Sequence, residues 1–117
     1  MQLVEHNAPS GIYNCEWYNR SWGKKGKINL YVTVMPDGSC KVWGVPPDMF
    51  QGFMRFETNG TYDSQSNTAN VSGSGVSLTI NFSGMGKDWR VHAEFKSGVG
   101  NGTYDGKFSG NPTTVPP

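Results

Sequence analysis

The sequence predicts an all-β fold, a small antiparallel up-and-down β-barrel of seven or eight strands. Three observations support this prediction. Val, Thr and the aromatic residues, which favour strands, are frequent, whereas Ala and Leu, which favour helices, occur three times each. The chain holds 16 Gly and 7 Pro among 117 residues, as many tight turns require. Apolar and polar residues alternate with a period of two in several segments that turn signals separate.

The first half of the chain divides into an N-terminal arm and four strands. Residues 1–10 form the predicted arm, and the strands are predicted at 11–22, 27–35, 40–45 and 50–58. The second strand is the clearest, because Ile28, Leu30, Val32 and Val34 share one face. A hairpin turn at Pro36-Asp37-Gly38-Ser39 precedes the third strand, since Pro presets φ and Gly accepts a positive φ.

The second half predicts shorter strands and more turns. Asn59-Gly60 indicates a turn, followed by a short strand at 61–63 and a loop over 64–75 with a short strand at 69–72. Further strands are predicted at 76–83, 89–96 and 103–109, with turns at 84–88 and 98–102. The pentapeptide Asn-Gly-Thr-Tyr-Asp occurs at 59–63 and again at 101–105. We interpret it as two similar turns, each entering a strand, rather than as a duplicated unit.

Consecutive strands joined by short turns predict a meander, and a meander of seven or eight strands can close into a barrel that has no exposed edges. A two-sheet β-sandwich is the alternative. The domain spans 11–110, between the arm and an extended Pro-rich tail at 111–117. In a meander the strands of Cys15 and Cys40 lie roughly 9–10 Å apart, beyond the reach of about 7 Å for a disulfide. We therefore expect two free thiols.

Charge and composition exclude several classes of function. The net charge of +1 argues against a nucleic-acid partner. No stretch approaches the roughly 18 apolar residues of a membrane span, so we expect no membrane partner. The chain contains no signal-peptide pattern, and its composition favours a soluble protein of a secreted or periplasmic compartment, although the sequence does not determine the compartment. The few Cys and His residues lack metal-ligand spacing, and no catalytic or cofactor motif occurs.

Two stretches resemble the streptavidin/avidin barrels. Trp17-Tyr18-Asn19 ends the first strand, ahead of a long second strand, and Thr61-Tyr62-Asp63-Ser64 leads through a Ser/Asn/Gly loop into the segment 78–82. The resemblance covers about half of the chain and implies a β-barrel. In that family the Asn of the first segment hydrogen-bonds the ureido oxygen of the ligand, which implies a ligand-binding role for Asn19. The tryptophans that wall the biotin site have no counterpart in the later strands, where Leu78 and Phe82 stand.

The abundant aromatic residues favour a non-catalytic binding protein, because surplus Trp and Tyr often mark recognition surfaces. A small antiparallel barrel would hold a small molecule or a glycan at its mouth. The predicted ligand-binding residues are Trp17, Asn19, Trp22, Trp43 and Tyr62. The sequence leaves open whether the protein forms a homo-oligomer. We expect neither a cofactor nor a metal.

Two alternatives have a basis in the sequence. An inhibitor or immunity-type module would bind a protein partner through the loops 20–27, 46–50 and 84–88. A barrel enzyme would use His92 and Glu94, with Arg90, as an acid, a base and a cation on one face of the strand 89–96. The opposite face of that strand is more apolar and competes for the core, so we favour a solvated surface for Arg90, His92 and Glu94.

Overall fold

The computed structural model describes residues 9–47, 55–84 and 88–117. It shows a closed barrel of eight antiparallel strands, each hydrogen-bonded to the next along the chain, with the last strand pairing with the first. The all-β barrel prediction is confirmed, and the alternative sandwich is not adopted. The strands are β1 (Gly11–Asn19), β2 (Lys24–Val34), β3 (Ser39–Val45), β4 (Phe56–Asp63), β5 (Thr68–Gly73), β6 (Val76–Ser83), β7 (Arg90–Ser97) and β8 (Gly100–Phe108).

Alternation along each strand divides the barrel into a lumen and an outer wall. On β6, for example, Leu78, Ile80 and Phe82 are buried, while the residues between them are exposed. The inward side chains of all eight strands form one continuous core. The core includes Cys15 and Cys40, which are free thiols as expected. Burial raises the pKa of Cys15 to about 12 and that of Cys40 to about 11, so both stay protonated at neutral pH.

The two ends of the barrel differ. The closed end contains the start of β1, and aromatic rings and Pro9 fill it. The ring of Tyr13 packs against Phe82 and Phe108 at centroid distances of 5.8 and 5.7 Å, and its hydroxyl donates to the carbonyl of the fully buried Pro9. Trp89 packs edge-on against Phe82. The open end contains the end of β1 and the turns that join β1 to β2, β5 to β6 and β7 to β8.

The turn predicted at Asn59-Gly60 is wrong, because both residues lie inside β4. The second copy of the pentapeptide lies inside β8, so neither copy forms a turn. In both copies the glycine allows a neighbouring backbone to approach closely. A Cβ at Gly60 would lie 1.8 Å from the carbonyl oxygen of Asn70, and one at Gly102 would lie 1.8 Å from that of Tyr18. The Asn-Gly pair thus marks a position inside a strand where the neighbouring strand approaches closely, and it does not mark a chain reversal.

Other boundaries shift by a few residues. The first strand ends at Asn19 rather than at residue 22, the second begins at Lys24, and the last begins at Gly100. The predicted short strand at 69–72 is confirmed as β5, and β6 has the predicted bounds. Most of the predicted arm, the start of the strand predicted at 50–58, and the middle of the turn at 84–88 lie outside the described residues.

The Pro-rich tail is extended and lies along the outer wall. Ile12 N donates to the carbonyl of Asn111, and Thr33 Oγ1 donates to that of Thr114 at 2.7 Å. Arg55 Nη2 donates to the carbonyl of Pro117 at 3.3 Å. The tail therefore runs from the closed end towards the residue that precedes β4 at the open end.

Candidate ligand-binding site at the open end

The lumen opens into a cavity of about 600 Å³ at the open end. Six of the eight strands contribute to its wall, together with the turns that join them. The described residues that line it are Trp17, Asn19, Trp22, Lys24, Arg55, Phe56, Ser74, Gly75, Val76, Phe95, Ser97, Gly98, Val99 and Tyr104. A cavity of this size and apolar character is typical of a small-molecule site.

Three aromatic rings form the floor of the cavity. The ring of Tyr104 stacks on Phe95 at a centroid distance of 4.8 Å and lies 6.0 Å from the ring of Phe56. All three residues are buried and belong to the core. Gly44 makes room for Phe56, because a Cβ at Gly44 would come within 2.1 Å of that ring. The floor is thus a rigid apolar surface, against which a flat or hydrocarbon body can pack.

Trp17 forms the side of the cavity next to this floor. Its indole lies over Gly26 of β2, where a Cβ would come within 2.8 Å of the ring. Within the described part of the chain, its Nε1 atom is buried and has no hydrogen-bond partner. A buried donor without a partner costs about 1–3 kcal/mol. The closeness of ring and backbone fixes the indole in place despite that cost.

The polar side chains of Asn19, Ser74 and Ser97 in the cavity wall are already engaged with the backbone. Asn19 Oδ1 accepts hydrogen bonds from the backbone N–H groups of Ser21 and Trp22, at 2.9 and 3.2 Å. Ser74 Oγ bonds both the N–H and the carbonyl of Glu57, and Ser97 Oγ donates to the carbonyl of Gly100. These side chains hold the turns of the open end together, so the wall offers a ligand few free neutral polar groups.

Trp22 and Val99 form the rim of the cavity. Trp22 is 67% exposed and Val99 70% exposed. They belong to the turns β1–β2 and β7–β8, which are joined where Trp22 Nε1 donates to the carbonyl of Val99. Asn19 Nδ2 donates to the same carbonyl at 3.4 Å. An exposed apolar rim beside an apolar cavity extends the surface on which a ligand can pack.

Two cations also line the cavity, Lys24 at the start of β2 and Arg55 before β4. Neither forms a salt bridge with an acidic residue of the described part. The lining residues that the structure describes include no Asp or Glu. The described lining residues therefore carry a net positive charge.

Arg90, His92 and Glu94 lie on the outer wall, away from the cavity, as the solvated interpretation expects. His92 Nδ1 pairs with Asp105, and its Nε2 lies 3.4 Å from Glu94, whose other oxygen accepts from Arg20 Nη2 at 2.8 Å. The hydrogen bond with Asp105 raises the pKa of His92, and the Arg20 guanidinium lowers the pKa of Glu94. This row of alternating charges ties the strands together on an exposed surface.

Of the five predicted ligand-binding residues, the structure brings Trp17, Asn19 and Trp22 together at the cavity. Trp43 lies on the outer wall, where its ring is 5.7 Å from Lys41 Nζ, because the buried neighbours Val42 and Gly44 take the inward positions of β3. Tyr62 faces inward but at the closed end, where its ring packs on Phe82 and its hydroxyl donates to Asn67 Oδ1.

The sequence predicts neither Phe56, Phe95 and Tyr104 as the floor of the cavity nor Lys24 as part of a strand. The alternation of β2 indicates that Lys24 faces inward. Every second residue before the inward-facing Ile28 also faces inward, which gives Gly26 and then Lys24. In a meander the position of an aromatic residue along its strand indicates its end of the barrel, but the turn wrongly predicted at Asn59-Gly60 adds a chain reversal and inverts that assignment for the later strands.

The loops proposed for a protein partner do not form one surface. Residues 20–27 lie at the open end, and the segment 46–50, of which the structure describes residues 46 and 47, follows β3 at that same end. Ser83 and Arg90, which flank the loop 84–88, pair with each other at the closed end.

Comparison with protein-family models, with curated proteins and with solved structures gives no match to this chain. Among the residues that the structure describes, no group of three or more His, Cys, Asp and Glu side chains is placed to hold a metal ion. The described segments also contain no helix long and apolar enough to cross a membrane.

Proposed function

We propose that this protein is a non-catalytic binding protein that holds a small molecule with an apolar body at the open end of the barrel. The observation that carries the proposal is the cavity of about 600 Å³ with its floor of Phe56, Phe95 and Tyr104. Trp17 and Trp22, both predicted from the sequence, complete the wall and the rim. Binding would remove apolar surface from water on the ligand and on the cavity alike.

The same geometry favours an apolar small molecule over a glycan. A sugar presents many hydroxyl groups, and each needs a partner when it leaves water. The side-chain oxygens of Asn19, Ser74 and Ser97 already serve the turns of the open end. The side-chain donors left for the many hydroxyl groups of a glycan are few, chiefly Trp17 Nε1 and the cations Lys24 and Arg55, whereas an apolar body needs none.

The neutral fluorescent probe phenyl-naphthylamine tests this function. We expect its emission to rise on binding, the emission of Trp17 and Trp22 to fall, and the protein to unfold at a higher temperature in its presence, because a ligand that binds only the native state stabilises it. A probe that changes none of these three signals at saturating concentration contradicts the proposal.

A variant that fills the cavity provides the specific control. Gly98 lines the cavity, has no positive φ, and has open space where a Cβ would stand. We expect Gly98→Phe to keep the fold and to weaken probe binding by about tenfold or more, a change equal to 1.4 kcal/mol. Gln65→Phe adds the same ring to an exposed turn at the closed end and should leave binding unchanged.

A further inference from the structure

We propose that the ligand is an amphipathic organic anion, whose carboxylate or sulfonate group binds Lys24 and Arg55 while its apolar body lies on the aromatic floor. This inference rests on the proposed function and adds the chemical class of the ligand. It comes from the placement of charge in the barrel, which composition does not reveal, because the chain as a whole is close to neutral.

Lys24 occupies an unusual position in the strand register. On β2 it shares the inward-facing series of Gly26, Ile28 and Leu30, whereas Lys25 and Lys27 belong to the outward series. Across all eight strands, which the structure describes in full, Lys24 is the one charged residue at an inward-facing position. A lysine at the mouth of an apolar lumen places its ammonium group where a bound molecule would emerge.

Two other cations, in contrast to Lys24, are paired with acidic side chains. Lys41 lies 3.6 Å from Glu57, and Arg20 lies 2.8 Å from Glu94, both on the outer wall. Lys24 has no such partner among the described residues. A cation that faces a cavity without a protein counter-ion is a suitable partner for an acid group of a ligand.

Arg55, which precedes β4, supplies the second cation of the cavity lining. It precedes Phe56, so its backbone continues directly into the aromatic floor. One of its terminal nitrogens donates to the carbonyl of Pro117, and a guanidinium has five N–H donors, so donors are left for a ligand oxygen. Asn19, Ser74 and Ser97 are engaged with the backbone, so Lys24 and Arg55 are the charged donors that the described wall offers.

Two probes that differ by one sulfonate group test the inference. Anilinonaphthalene sulfonate carries the sulfonate, and phenyl-naphthylamine is its neutral parent. We expect the sulfonate to bind the folded protein at least about tenfold more tightly than its parent, since a charge-assisted contact is worth that much in a partly dry site. Added salt should reduce this preference, because Lys24 is exposed and its field is screened.

Single substitutions then assign the preference to residues. Lys24→Gln and Arg55→Gln should each reduce sulfonate affinity about three- to tenfold, a larger loss than either causes for the neutral parent. Lys25→Gln removes the same charge from the adjacent, outward-facing position and should change neither affinity. Lys24→Arg, which keeps the charge, should retain the preference. Circular dichroism and thermal unfolding confirm that each variant is folded.

The outcomes separate this inference from the proposed function. Equal affinity for both probes, or equal losses in Lys24→Gln and Lys25→Gln, would overturn the anionic ligand while the apolar site stands. Failure of both probes to bind the folded protein would overturn the proposed function and this inference together.

Discussion

The closed and open ends of the barrel use the same kind of residue for opposite purposes. At the closed end the rings of Tyr13, Phe82 and Trp89 pack edge to face and fill the lumen beneath Pro9. At the open end the rings of Phe95 and Tyr104 stack and leave about 600 Å³ above them. The aromatic content of the sequence therefore serves stability at one end and forms a candidate site at the other.

The difference arises from what covers the rings. The N-terminal segment provides the cover at the closed end, where Pro9 is fully buried and Ser10 Oγ accepts from the N–H of Val34. The described residues of the open end provide only short turns, and these carry the exposed side chains of Trp22 and Val99. Among the described residues, the closed end of the barrel is thus a packed core, while the open end borders the cavity.

The largest expected effect is on stability, and it is tested by truncating one phenylalanine at each end of the barrel. Phe82→Ala should lower the free energy of unfolding by about 3–5 kcal/mol, because it leaves a sealed cavity among packed rings. Phe56→Ala removes a ring that borders the open cavity, so water can fill the space and the loss should be smaller by about 1 kcal/mol or more. Denaturant unfolding measures both, and equal losses would contradict the difference between the ends.

Two glycines of the open end give the next largest effect. Gly102→Ala should destabilise the protein by about 1–3 kcal/mol, since its Cβ would lie 1.8 Å from a carbonyl oxygen of β1. Gly98→Ala meets open space and should change stability by less than about 0.5 kcal/mol. Thermal unfolding of the two variants side by side checks the prediction, which is wrong if Gly102→Ala is tolerated as well as Gly98→Ala.

The rim should matter for binding more than for folding. Trp22 is largely exposed, so Trp22→Ala should cost less than about 1 kcal/mol of stability. It should still weaken binding of phenyl-naphthylamine severalfold, because the indole extends the apolar wall of the cavity. Trp43→Ala on the outer wall serves as the control. Comparable losses of affinity in the two variants would show that the site is elsewhere.

The smallest effect is a pH dependence of stability on the outer wall. Asp105 and Glu94 raise the pKa of His92 above its unfolded value, so the charged histidine stabilises the fold below pH 6.5. That contribution is lost as the pH rises through the folded pKa. The parent protein should therefore lose a small amount of stability between pH 6 and pH 8. His92→Gln should not show this loss. A parent protein that becomes more stable relative to His92→Gln over this interval would contradict the sign.

The sequence predicted the parts of this structure that depend on local pattern. Strict alternation defined β6 to the residue, and the meander followed from short turns between strands. It failed at Asn59-Gly60, because a glycine that admits a neighbouring backbone has the same local signature as a turn glycine. The local sequence was likewise insufficient to place Trp43 and Tyr62. Which side of the wall a residue faces, and which end it reaches, depend on register and strand direction.

The four tryptophans provide the most direct test of the central claim, that a ligand binds at the open end. Trp17 and Trp22 line the cavity, Trp43 lies on the outer wall, and Trp89 is buried at the closed end. In an NMR titration with phenyl-naphthylamine, the indole N–H signals of Trp17 and Trp22 should shift while those of Trp43 and Trp89 stay in place. Shifts confined to Trp43 or Trp89 would contradict the claim.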